Sequence, residues 1–246
     1  MKYSLKQERY KFNHSHMSIY GAISLIILML YTAFSSKVTS NTIIQNFGAG
    51  QWLTIIIITI SSTFLSMEYS YNTMLTLRYK RKTNAVIYFS KMLVLIIYTA
   101  ILLILSLFVT FVLKEITVGG QYNWEDLIAN LSLNIVGSLI YEVFIITLAL
   151  FLISIFKNNS AVIVLGLFNS FLGSSMSSAI MDDFNGVNSI LKWNPFNMIY
   201  IMNQLSSTKN FFALSHLTNI QIIMGNLLYI IIFIIFGYLA FKKRQV

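Results

Sequence analysis

The sequence predicts an all-α integral membrane protein with six transmembrane helices and both ends in the cytoplasm. Three observations carry this reading. Only 10% of the 246 residues are charged and 57% are hydrophobic, whereas an ordinary soluble domain carries about 25% charged residues. Six segments, 17–34, 52–67, 92–113, 127–156, 161–180 and 220–240, approach or exceed the roughly 20 mostly apolar residues that a membrane helix needs. Lysine and arginine are unevenly shared between the connections, as the positive-inside rule describes.

Each element has its own justification. The basic segment 2–14 is expected to lie as an interfacial helix, with Leu5 and Phe12 dipping into the headgroups. No A-x-A site follows the first apolar run, so that run is expected to be retained as an anchor. The second span is short by itself and is expected to continue as helix through Glu68 into a hairpin. Residues 67–91, MEYSYNTMLTLRYKRKTNAVIYFSK, then hold five basic residues and one acid between two apolar spans, with Val86, Phe89 and Leu93 re-entering the membrane on an amphipathic pattern. The fourth span is long and is expected to open with a tilted or interfacial turn at 124–127. FKNNS, residues 156–160, is a very short turn into the fifth span. Residues 181–219 are too apolar for a solvated loop, and short helices on or re-entering the outer leaflet are expected there. Pro195, the only proline, would break or start one of them. The whole chain, 1–246, reads as a single transmembrane domain.

With the N-terminus inside, thirteen of the seventeen basic residues fall on the cytoplasmic side, among them Lys2, Lys6, Arg9, Lys11, Arg78, Lys80, Arg81, Lys82, Lys91 and Lys157. The outer side holds Lys37, Lys114, Lys192 and Lys209, together with Glu115, Glu125, Asp126, Asp182 and Asp183. The basic termini thus serve as topology signals and as contacts for anionic membrane lipids. The net charge of +9 does not indicate a nucleic-acid partner, because that footprint needs a basic face on a folded soluble domain.

Most chemistry is excluded by inspection. There is no cysteine, hence no disulfide and no thiolate metal site. No G-x-x-x-x-G-K-[ST], H-E-x-x-H or G-x-S-x-G occurs. His14 and His16 stand two apart and share no helix face, and His216 falls on the opposite side of the membrane. The chain is expected to be no enzyme and to bind no metal or cofactor of its own.

Four features stand out. Glu142 lies near the middle of the fourth span, where an ionised carboxylate costs at least about 2.5 to 3.5 kcal/mol. It is either a residue on a substrate or conformational pathway or a structural carboxyl hydrogen-bonded to another helix. Gly166, Ser170, Ser174 and Ser178 recur every four residues on the fifth span, beside Gly173 and Ser177. Such a line lets backbones approach closely, either as plain packing within or between subunits, or as a helix at a dimer seam or translocation path. The hairpin has more ordered, mixed sequence than a topology signal needs and reads as a surface for a cytoplasmic partner. The turn at Lys157, Asn158 and Asn159 is a second cytoplasmic contact, since two helices joined so tightly move together.

The hairpin also carries a resemblance. Glu68 at the inner end of the second span is followed by Asn72-Thr73, the apolar stretch Met74, Leu75, Thr76 and Leu77, a basic run from Arg78 to Thr83, and Lys91 opening the third span. This pattern resembles the ABC-2 family of ABC-transporter permeases, in which Gly is common where Asn72 stands. Six spans with both ends inside and LKWNPF before the last span agree with it. Within the family the chain looks most similar to the membrane subunits of staphylococcal exporters of phenol-soluble modulins, which are amphipathic peptides.

The resemblance implies a multi-pass protein of a bacterial cell membrane that exports such peptides with ATP and magnesium held by a separate ATPase. It implies two ATPase copies and a second permease, either identical or paralogous. Asn72, Thr73, Met74, Leu75, Thr76 and Leu77 would form a coupling helix in a groove of the ATPase. Arg78 would border ATPase and lipid, Glu68 would brace the elbow, and Lys157, Asn158 and Asn159 would form the lesser contact. The same family resemblance also allows self-protection against antimicrobial peptides, or lipid or drug export. An ATP-independent transporter or channel using Glu142, and a noncatalytic membrane scaffold, are the readings outside it.

Overall fold

A computed structural model describes residues 2–35, 37–70, 83–183 and 188–243. Among the described residues the chain is helical, and six helices are long and apolar enough to cross a membrane. In hydrocarbon every backbone N–H and C=O must be paired within the protein, and a helix does so along its own length.

The helices outrun the apolar runs that announce them. The first span is Met17–Ser35 and the second Ala49–Ser70. The third is Asn84–Thr117, extending the expected 92–113 at both ends. At 1.5 Å per residue its 34 residues reach about 51 Å, well past a hydrocarbon core of about 30 Å. It therefore extends beyond the hydrocarbon. The fourth, Trp124–Phe156, is one continuous helix that takes in residues 124–127 as its first turn. Glu125 and Asp126 in its first turn complement the helix dipole. The fifth and sixth spans are Asn159–Asp183 and Asn219–Lys243.

The second span is the hub. Of its most apolar window 67% is buried, against 22% for the first span and 28% for the fifth and sixth. Side-chain hydrogen bonds tie the hub region to four neighbours. Trp52 Nε1 donates to Thr32 Oγ1 on the first span at 2.9 Å. Asn46, just before the second span, donates to Ser106 Oγ at 2.6 Å and accepts from Thr110 on the third. Thr54 reaches the fourth and Thr63 the fifth. The chain enters this helix through three consecutive left-handed residues, Asn46, Phe47 and Gly48. A buried phenylalanine at φ 51° is an uncommon conformation, held here by the two side-chain bonds of Asn46 beside it.

The N-terminal helix, Lys2–His14, is seated differently from expectation. Phe12 does not dip into headgroups; it is 2% exposed, packed edge-on against Phe64 of the second span and Tyr98 of the third, at 5.2 and 4.9 Å between ring centres. An aromatic cage inside the protein gives this side chain its apolar contact without lipid.

Beyond the fifth span, short helices at Asn188–Leu191, Pro195–Tyr200, Ile201–Gln204 and Thr208–Ser215 fold back onto the outer ends of the fourth, fifth and sixth spans. Asn194 caps the second of these, its Oδ1 accepting from Asn197 N at 2.9 Å, with Pro195 at the first helical position. Interrupted helix leaves carbonyls without partners, and amide side chains supply them. Asn134 donates to Met202 O at 2.8 Å, Asn197 to Lys192 O at 2.6 Å and Ser215 O at 2.8 Å, and Gln204 to Leu217 O at 2.6 Å. Tyr229 OH reaches Trp193 O at 2.7 Å. Asn134 stands ten residues into its helix, about 15 Å below the outer end. Irregular backbone at such depth is tolerated only when buried in protein.

Gly137 makes that burial possible. A Cβ at this position would collide with Ile201 O and stand 3.2 Å from Met202 O, both rigid backbone atoms. Gly→Ala inside a helix ordinarily gains about 0.5–1 kcal/mol, whereas overpacking costs about 1–3 kcal/mol. Gly137→Ala is therefore expected to destabilise, read as a lower thermal unfolding midpoint in detergent.

Candidate functional site

At the cytoplasmic end, four charged side chains from three helices meet inside the protein. Lys91 Nζ, on the third span and 1% exposed, lies 3.1 Å from Glu8 Oε2 and 3.1 Å from Glu68 Oε1. It also donates to Phe64 O at 3.2 Å and sits 3.8 Å from the centre of the Phe64 ring. Lys11 donates to Glu68 Oε1 at 2.8 Å and lies 3.7 Å from Glu8 Oε1. Among the described residues two carboxylates and two ammoniums balance. The Glu8 carboxylate has no aligned hydrogen bond among the described residues, and charge alone holds it.

Helical spacing builds this joint. Ser4, Glu8 and Lys11 recur at i, i+4 and i+7 on one face of the N-terminal helix. Glu68 lies near the end of the second span and Lys91 two turns into the third, so the joint ties together the two helices that flank residues 71–82. Glu68 is buried in this joint, 4% exposed. Asn72, Thr73, Met74, Leu75, Thr76, Leu77 and Arg78 lie outside the described residues.

The turn between the fourth and fifth spans meets the same helix. Lys157 closes the fourth span with φ 59°, its N–H donating to Ile153 O at 3.3 Å. Asn158 Oδ1 accepts from Ser160 N at 3.0 Å and so opens the fifth span. Asn159 Nδ2 donates to Thr63 Oγ1 on the second span at 3.0 Å. The turn and the charged joint thus both contact the second span.

Glu142 is fully buried, and Thr54 Oγ1 of the second span donates to its Oε1 at 2.8 Å. Its Oε2 has no partner among the described residues. One helical turn outward from this pair, Ser138 and Gly50 line a cavity of about 230 Å³ that is also lined by Gln45, Gln51, Asn134, Ser170, Ser174, Tyr200 and Asn203, with Phe171, Ile199, Met202 and Phe211. Its described lining is neutral throughout, with amides and hydroxyls set among apolar and aromatic groups.

The small-residue line of the fifth span turns into the subunit. Gly166 admits Ile58 of the second span, whose Cγ2 would stand 2.6 Å from a Cβ there. Gly173 faces Ile199, and Ser177 donates to Asn197 Oδ1 at 3.1 Å. Ser170 and Ser174 line the outer cavity. The face exposed by the subunit is instead Val164, Leu165, Phe168, Phe171, Leu172 and Met176.

Sequence reasoning missed Glu8 and Lys11 as partners of Glu68 and Lys91, although Glu8 is the single acid in a basic segment. It missed Thr54, Asn134 and Asn197 as well. An isolated amide in an apolar run was the available signal for Asn134. No group of histidine, aspartate and glutamate suited to a metal ion occurs among the described residues.

A family model described as "ABC-2 family transporter protein" matches residues 4–173, more than half of the chain. The match covers the N-terminal helix, both feet of the hairpin and Glu142. No curated protein matches the chain.

Proposed function

This chain belongs to the ABC-2 transporter family, and from that premise we propose that it is the membrane path through which amphipathic peptides of the phenol-soluble modulin type leave the cell. Membership makes it a permease subunit of an ABC transporter, multi-pass in a bacterial cell membrane, that works with an ABC ATPase. ATP and magnesium belong to that ATPase. Two copies of it would pair with two permeases.

The observation that carries the reading is the buried joint of Glu8, Lys11, Glu68 and Lys91. A hairpin whose two feet are locked to each other and to a third helix moves as a lever, because packed elements are bistable rather than freely deformable. ATP binding would draw the ATPases together, carry the coupling segment at 72–78 with them, and shift the second span between two arrangements. The turn at Lys157, Asn158 and Asn159 would push the same helix through Thr63. Thr54 and Glu142 would then pass the movement to the fourth span and to the floor of the outer cavity. Neutral polar groups among aromatic ones suit a cargo with one apolar and one polar face. Self-protection against antimicrobial peptides is the second reading, because it needs the same cargo chemistry.

Inside-out vesicles holding the permease and its ATPase are expected to take up a labelled amphipathic α-helical peptide when ATP is added. Glu142→Gln keeps an acceptor for Thr54, so its unfolding midpoint should match wild type while uptake falls roughly tenfold, the effect of about 1.4 kcal/mol on a barrier. Uptake of a labelled lipid or drug in place of the peptide would reject the cargo class. Unchanged peptide uptake in Glu142→Gln would remove Glu142 from the path.

A further inference from the structure

The N-terminal helix has a second face that the charged joint does not use. Leu5, Arg9 and Asn13, at i, i+4 and i+8, line a groove of about 440 Å³ that continues between the first and third spans past Ile23 and Ile101, with Tyr98 in its wall. Apart from the headgroup end the lining is almost wholly aliphatic. Tyr98 adds an aromatic ring whose hydroxyl is engaged by Ser18 O at 2.9 Å.

The groove has a chemical polarity. One end is the guanidinium of Arg9, which is exposed and makes no ion pair with any described residue. The acid next to it in sequence, Glu8, is buried and already engaged by Lys91 and Lys11. The other end is an aliphatic trough about halfway along the first and third spans. Because the N-terminal helix is cytoplasmic, the groove occupies the depth of the inner leaflet, with its cation at headgroup level.

We propose that this groove is a binding site for one anionic phospholipid of the cytoplasmic leaflet, its phosphate held by Arg9 and an acyl chain lying along Ile23 and Ile101. A planar guanidinium matches a phosphate through two parallel hydrogen bonds. The Asn13 amide adds a neutral donor beside it. Bound there, the lipid also braces the helix that carries Glu8 and Lys11, so the charged joint and the lipid share one structural element.

The test uses the permease with its ATPase in nanodiscs of equal phosphatidylglycerol and phosphatidylethanolamine, released into mild detergent and weighed by native mass spectrometry. Wild type is expected to retain one phospholipid, enriched in phosphatidylglycerol over the bilayer. Arg9→Gln should lower that enrichment about fivefold, the weight of one basic residue at an anionic surface. Ile23→Trp fills the trough and should lower retention of both lipids. Arg9 is exposed, so Arg9→Gln decides the matter even if Ile23→Trp fails to fold. Retained lipid that mirrors the bilayer in wild type, or is identical in Arg9→Gln, would overturn the proposal. So would a groove emptied of lipid because a second permease copy covers it.

Discussion

Lys91→Met is expected to destabilise the permease by about 3–5 kcal/mol, the cost of removing one partner from a buried ion pair. The reason is what stays behind. Glu8 is 0% exposed, and without Lys91 its carboxylate is left with Lys11, which lies 3.7 Å away and is itself one-third exposed. Methionine preserves much of the apolar stem that packs on Phe64, so lost packing does not explain the effect. The double variant Glu8→Gln, Lys91→Met removes one charge of each sign, and it should unfold at a higher temperature than Lys91→Met alone. Thermal unfolding of wild type, both single variants and the double variant measures the coupling. Strict additivity of the two single effects would mean that the joint is a coincidence of burial and not an interaction.

Leu75→Asp is expected to act on association and leave the fold alone. A carboxylate on the apolar side of a docking segment must be desolvated against the partner's groove, and central apolar anchors of interfaces cost about 2 kcal/mol or more when lost. That corresponds to roughly a thirtyfold weaker complex. The unfolding midpoint of the isolated permease should stay with wild type, whereas basal and peptide-stimulated ATP hydrolysis should no longer depend on the permease. The two variants separate the lever from its handle: Lys91→Met weakens the folded subunit, and Leu75→Asp leaves the subunit whole and takes away its drive.

How much of this was legible in the sequence follows from the kind of signal each feature leaves. The six spans were visible because hydrocarbon demands long apolar runs, and length alone identifies them. Their ends were not, because a helix continues past its apolar stretch wherever packing or backbone pairing supports it, as Asn84 to Lys91 does on the cytoplasmic side. Glu142 announced itself as a carboxylate among Ile and Phe, whereas Thr54, its partner, is one of many threonines. The periodicity of Gly166, Ser170 and Ser174 marked a face of small residues, of which Gly166 admits Ile58 while the two serines line the outer cavity, and spacing on one helix carries no information about which neighbour it meets. The charged joint needed Glu68 and Lys91, 57 and 80 residues beyond Lys11, to be brought to one place with the N-terminal helix, and no local pattern encodes that. The outer folded-back segment was readable as apolar and interrupted, while the amides that satisfy its carbonyls, Asn134, Asn197 and Gln204, were single polar letters in unremarkable positions.

The most direct test of the account is to purify the tagged permease gently from its own membranes and measure, by mass spectrometry, how much ATPase accompanies it in wild type and in Leu75→Asp. A roughly stoichiometric ABC ATPase is expected with wild type and little or none with Leu75→Asp, at equal permease yield and equal unfolding midpoint. Retention of the same amount of ATPase by Leu75→Asp would contradict the hairpin as the coupling element, and absence of an ATPase from both would contradict the drive assigned to it.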